Sequence, residues 1–127
     1  MTEASTAVRA ELQMFLRVCN DRALDKVLSK IRQLCPLPFG EATAERYWKD
    51  PGLQDVRLPV SVPQGSVGDM TFEVLRAAWS LGGPWSVSSI GEPAAEGWEF
   101  EALAEHGRAR FNMPGLEWAR ISLRDGT

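Results

Sequence analysis

Apolar residues recur along this chain with two different periods, and each predicts a different element. From Thr6 onward the apolar positions are Val8, Leu12, Phe15, Leu16 and Cys19. That spacing is one stripe of a helix, with Ser5 or Thr6 as its N-cap and residues 1–5 frayed. Asn20-Asp21 interrupts the stripe and caps a second helix, in which Leu24, Val27, Leu28, Ile31 and Cys35 repeat it until Pro36 ends it. The short link predicts an antiparallel helix pair. Glu41 to Trp48 reads as one or two helical turns with Ala44, Tyr47 and Trp48 inward. Val56, Leu58, Val60 and Val62 alternate as a strand would, but Pro59 cannot donate to a ladder and belongs at a sheet edge or outside the sheet. Asp69 caps a third helix, Met70 to Leu81. Its polar stripe of Glu73, Arg76 and Ser80 is so narrow that burial on several sides is expected. Gly82-Gly83-Pro84 stops it.

The C-terminal third alternates with period two. Trp85 to Ile90 reads as a first central strand. Trp98 to Phe111 reads as a hairpin with His106-Gly107 at its turn, pairing Glu105 with Arg108, Ala104 with Ala109, Leu103 with Arg110 and Ala102 with Phe111. Both runs then agree on their faces, because strand side chains switch sides at every residue. Trp98, Phe100, Ala102, Ala104, Ala109 and Phe111 face the core. Glu99, Glu101, Leu103, Glu105, Arg108 and Arg110 face water. Pro114-Gly115 turns the chain into a last strand, Glu117 to Arg124. A longer loop or a bulge there puts Ala119, Ile121 and Leu123 inside and leaves Trp118 outward and partly exposed. The expected fold is α+β: an N-terminal antiparallel helix pair and a third buried helix, packed on one face of a C-terminal antiparallel sheet of about four strands. Residues 1–127 form a single domain.

Composition excludes several functions. The 127 residues carry a formal net charge of −3, with acids and bases interspersed. Nucleic-acid binding requires clustered Lys and Arg, so it is not expected. The opening MTEASTAVRAELQ has neither a basic nor an apolar leader region, and no apolar run approaches the roughly 18 residues of a membrane helix. A cytoplasmic location follows as the expectation. Cys19 and Cys35 end the two antiparallel helices. Those ends lie about 20 Å apart, beyond the reach of about 7 Å between Cα atoms, so the thiols are expected free.

Catalytic chemistry finds no foothold. His106, the sole histidine, is expected as a turn residue, and with two distant cysteines it makes no zinc set. SLGGPW and SVPQGSVGD lack the spacing and lysine of a phosphate loop, and no G-x-S-x-G elbow exists. Glu99 and Glu101 neighbour each other as a catalytic carboxylate pair could, but the arginines on the same face predict a solvated, salt-bridged surface instead. Cys35 is expected as a packed thiol. No catalytic residue, cofactor or metal is assigned.

Small size, mixed α and β, mild acidity and five tryptophans suit a non-enzymatic protein-binding module. In this organisation the chain resembles bacterial immunity proteins, small inhibitors that neutralise a partner toxin by occlusion. That resemblance implies a contact surface of Trp and Arg anchors with acidic residues steering association. Glu99, Glu101, Glu105, Arg108, Arg110 and Trp118, on the outer sheet face, are the expected partner-binding residues. The alternative is a small-molecule pocket. The order helix, helix, strand, helix, sheet is similar to the ketosteroid-isomerase-like cone fold, and FLRVCNDRALDKVL resembles that family's opening helices. Such a cone would hold its ligand among Trp79, Trp85, Trp98 and Phe100. The chain departs from that family in lacking an Asp base with a Tyr or second acid in a sheet concavity.

Overall fold

The computed structural model describes residues 8–93, 95–105 and 107–125. The described residues are α+β, with two helices and a large antiparallel sheet of six strands. Strand β1 (Val8–Leu16) opens it, followed by helix α1 (Asp21–Leu34) and strands β2 (Thr43–Arg46) and β3 (Gln54–Val60). Helix α2 (Val67–Leu81) runs into β4 (Gly82–Gly83), and then come β5 (Ser86–Ile90), β6 (Glu99–Glu105), β7 (Arg110–Phe111) and β8 (Leu116–Asp125). The main sheet runs β2-β3-β1-β8-β6-β5, while β4 and β7 form a separate two-stranded ribbon.

The expected first helix is therefore a strand, and the N-terminal helix pair does not exist. Val8, Ala10, Leu12, Met14 and Leu16 are all buried, an unbroken period of two. Residues 1–5 and the cap at Ser5 or Thr6 lie outside the described residues. The expected second helix is present as α1. Asn20 caps it by accepting a hydrogen bond from the Ala23 N–H at 2.8 Å. It buries Val27 and Ile31 and ends at Cys35, in extended conformation before Pro36. Residues 43–46 are strand rather than helical turns, and Trp48 is 80% exposed rather than inward. Helix α2 starts earlier than expected, with Ser66 as its cap.

Pro59 sits in β3, opposite Glu11 of β1. Its carbonyl accepts from the Gly40 N–H at 2.8 Å, on the side away from β1. Amide and carbonyl of one strand residue point the same way, so the missing N–H falls beyond the end of β2 and costs the central ladder nothing.

The core lies between one sheet face and the two helices. Its central row, read across the strands, is Leu58, Leu12, Ile121 and Ala102. From the helices, Ile31, Met70, Val74, Ala77 and Leu81 close over it. Ala119, Ile121 and Leu123 point inward and Trp118 outward, although β8 pairs with β1 and β6 rather than with residues 109–111, and its one register shift is against β1. The bulge lies where Phe15 faces Trp118 but Leu16 faces Leu116.

The expected hairpin is not formed. Strand β6 is flanked by β5 and β8, so the backbone edge that would have met residues 109–111 is already occupied. Glu105 and Arg108 do meet in a turn, with the Arg108 N–H donating to the Glu105 carbonyl at 3.1 Å. Beyond it Arg110 and Phe111 pair with Gly83 and Gly82. His106 lies outside the described residues. Trp85 to Ile90, expected as a central strand, is the exposed edge strand β5.

Candidate functional site: the uncovered sheet face

Both helices pack on the same side of the sheet, so among the described residues its other face carries no layer. Period-two alternation delivers to that face Gln13 and Phe15 from β1, Asp55 and Arg57 from β3, Trp118 and Arg120 from β8, and Glu99, Glu101, Leu103 and Glu105 from β6.

Two rows cross the strands. One is polar: Arg57, Gln13 and Arg120 stand side by side, with Leu103 next to Arg120 at its end. Gln13 is only 7% exposed although no helix covers it. Its Nε2 donates to Asp55 Oδ1 at 3.1 Å, and its Oε1 accepts from Arg120 Nη2 at 2.9 Å. Arg57 lies 3.5 Å from Asp55, and Arg120 lies 3.9 Å from Glu101. A buried amide with both ends bonded holds its neighbours in one arrangement. The second row is aromatic. Phe15 stacks on Tyr47 at 4.4 Å and on Trp118 at 4.7 Å between ring centroids, nearly parallel on both sides. Trp48 extends the row, tilted against Tyr47. Glu105 stands opposite Trp118 at its far end.

The six expected contact residues are thus divided. Glu99, Glu101, Glu105 and Trp118 share the uncovered face. Arg108 lies in the turn after β6, and Arg110 stands exposed on the β4–β7 ribbon. The cations facing the glutamates come instead from β8, Arg124 lying 3.7 Å from Glu99 and Arg120 near Glu101. Among the described residues no cation pairs with Glu105. Phe15, Tyr47, Gln13 and Arg120 belong to this face and were not expected there. The signal for Phe15 was its place among Arg9, Glu11 and Gln13 on the polar side of β1, which shows only once residues 8–16 are taken as a strand. No family model, curated protein or solved structure matches this chain.

The face ends at a cluster where β1 leaves the sheet. Arg17 forks onto Glu117 at 2.6 and 3.2 Å and reaches Asp50 at 2.8 Å. These bonds to Glu117 and Asp50 push the guanidinium further above its already high ordinary value. In return the Arg17 hydrogen bond, helped by the Gly52 N–H, holds the Asp50 carboxyl below the usual carboxylate range.

The cone-shaped pocket loses its basis. Phe15 to Leu28 spans the end of β1, a turn and the start of α1, not two helices. Trp79 is 55% exposed on the outer side of α2, whereas Trp98 is buried, so the two do not line one interior. Both thiols are free, at opposite ends of α1 rather than on two helices. Among the described residues no three His, Cys, Asp or Glu side chains gather as metal ligands, and no helix is long and apolar enough to cross a membrane.

Proposed function

We propose that this protein is a non-enzymatic protein-binding module that acts by occlusion, an inhibitor of the immunity-protein kind whose partner is a toxin. The observation that carries this reading is the Tyr47–Phe15–Trp118 stack, held on an uncovered sheet face with Glu105 at its end. Flat, pre-ordered aromatic surface is costly to leave in water and loses little entropy when covered. A carboxylate beside it favours a partner that lays an arginine or lysine along Trp118 and pairs it with Glu105. The partner is therefore basic at this contact, in keeping with the chain's net charge of −3. Glu99 and Glu101 steer the approach, while Arg120 and Arg124 moderate their charge.

The test uses immobilised wild type beside a Trp118→Ala/Glu105→Lys variant, each exposed to lysate of the source cell. One protein retained by the wild type and lost from the variant, with an association rate that falls as salt rises, is the expected result. Equal retention by both surfaces removes the uncovered face from the function.

A further inference from the structure

A second surface feature lies outside the uncovered face and asks for a different ligand. Three segments meet where β1 ends: the first turns of α1, the β2–β3 connection and the turn before β8. Between them is an open cavity of about 630 Å³. Its apolar wall is Val18, Ala23, Val27 and Pro114. Its charged lining residues are Arg17, Lys26 and Arg46, and among the described residues no carboxylate lines it. In a chain with more acids than bases this is a local inversion of charge.

Arg17 holds the walls together and has no charge to spare. Its backbone N–H donates to the Gly115 carbonyl at 2.7 Å, and its guanidinium is taken by Asp50 and Glu117. A Cβ at Gly52 would stand 2.6 Å from Arg17 Nη1, so a side chain there would make the guanidinium shift. Lys26 and Arg46 differ. Among the described residues neither makes an ion pair, and both are exposed at the cavity. An apolar wall with two uncommitted cations recognises an anion on an apolar stem.

We infer that this cavity binds an organic carboxylate with an apolar body, its acid group held by Lys26 and Arg46 and its stem against Val18, Val27 and Pro114. Cys19 supplies the measurement, because its exposed thiol also lines the cavity. Alkylation of the native protein is followed at both cysteines by mass spectrometry, with Cys35 as internal control. Octanoate is compared with octanamide, and a short apolar peptide bearing a free C-terminus with its amidated form.

The expected result is saturable slowing at Cys19 alone by the acid of at least one pair and not by its amide. Which acid protects tells whether the source is a small molecule or a chain terminus. Lys26→Glu/Arg46→Glu should weaken that protection roughly tenfold, the worth of two exposed ion pairs. Protection equal for acid and amide, or no protection by either acid at millimolar concentration, overturns the inference. Both outcomes are independent of whether the uncovered sheet face retains a partner.

Discussion

Asp50 accepts from Arg17 on one oxygen and from the Gly52 N–H, at 3.0 Å, on the other. Both bonds favour the carboxylate, so its folded pKa lies below the unfolded value of about 3.9. The sign follows from linkage. A depressed acid stabilises the fold above its unfolded pKa, and that contribution is lost as pH falls through the folded value. A carbon-detected pH titration should place the Asp50 midpoint below those of exposed aspartates, and Arg17→Gln should return it towards them. Cys35 moves the other way, burial pushing its thiol up against a lowering hydrogen bond from Leu37. Gly82 is constrained by geometry instead. Its φ is +147°, and a Cβ there would overlap the Arg110 carbonyl in the facing strand. Gly82→Ala should therefore open the β4–β7 ribbon and cost about 1–3 kcal/mol in urea unfolding.

Among the elements, β1 binds the fold together, because it lies between β3 and β8 and buries five side chains on the helix side. Leu12, 1% exposed, sits at the middle of the core row. Leu12→Ala should cost about 2–5 kcal/mol in the unfolding free energy. Removing the α1 cap should cost less, about 1 kcal/mol for Asn20→Ala, since the one backbone amide it frees, that of Ala23, lies at an exposed helix start. The two elements were unequally legible in the sequence. A step of four positions suits both a helix of period 3.6 and a strand of period two, so Val8, Leu12 and Leu16 fit either. Phe15 and Cys19 favour the helix, Ala10 and Met14 the strand, and Ala10 is too small to weigh much in a hydrophobic pattern. In α1, by contrast, Leu24, Val27, Leu28 and Ile31 include steps of three that no strand shares. Strand β6 shows another limit. Alternation told which way Trp98 and the glutamates point, but a face says nothing about which strand lies alongside. Residues 108–111 were placed next to β6 because their alternation suited that register, while the neighbours proved to be β5 and β8. For the same reason Glu99, Glu101 and Trp118 were readable as surface residues, and the stack of Phe15 on Tyr47 was not.

For the molecule as a whole, a sheet with its helices on one side has a graded stability across its width. The inner strands β3, β1, β8 and β6 share the core row and carry a neighbour on each side, whereas β5 is exposed at all five residues and β2 at all four. Local opening needs less free energy where fewer apolar groups must be exposed. Amide hydrogen exchange should accordingly be slowest in Leu12, Met14, Leu58 and Ile121 and fastest in β2 and β5, with α1 between. The polar row adds a second expectation, because Gln13 bonds Asp55 and Arg120 on the side the helices leave open. Gln13→Ala removes both bonds and should destabilise by about 1–3 kcal/mol. If that row ties β3, β1 and β8 together, the variant should also quicken exchange across these three strands while α2 keeps its rate relative to the global opening. Quickening confined to β1 would mean that the row serves only its own strand, and that the inner strands hold together by their apolar face alone.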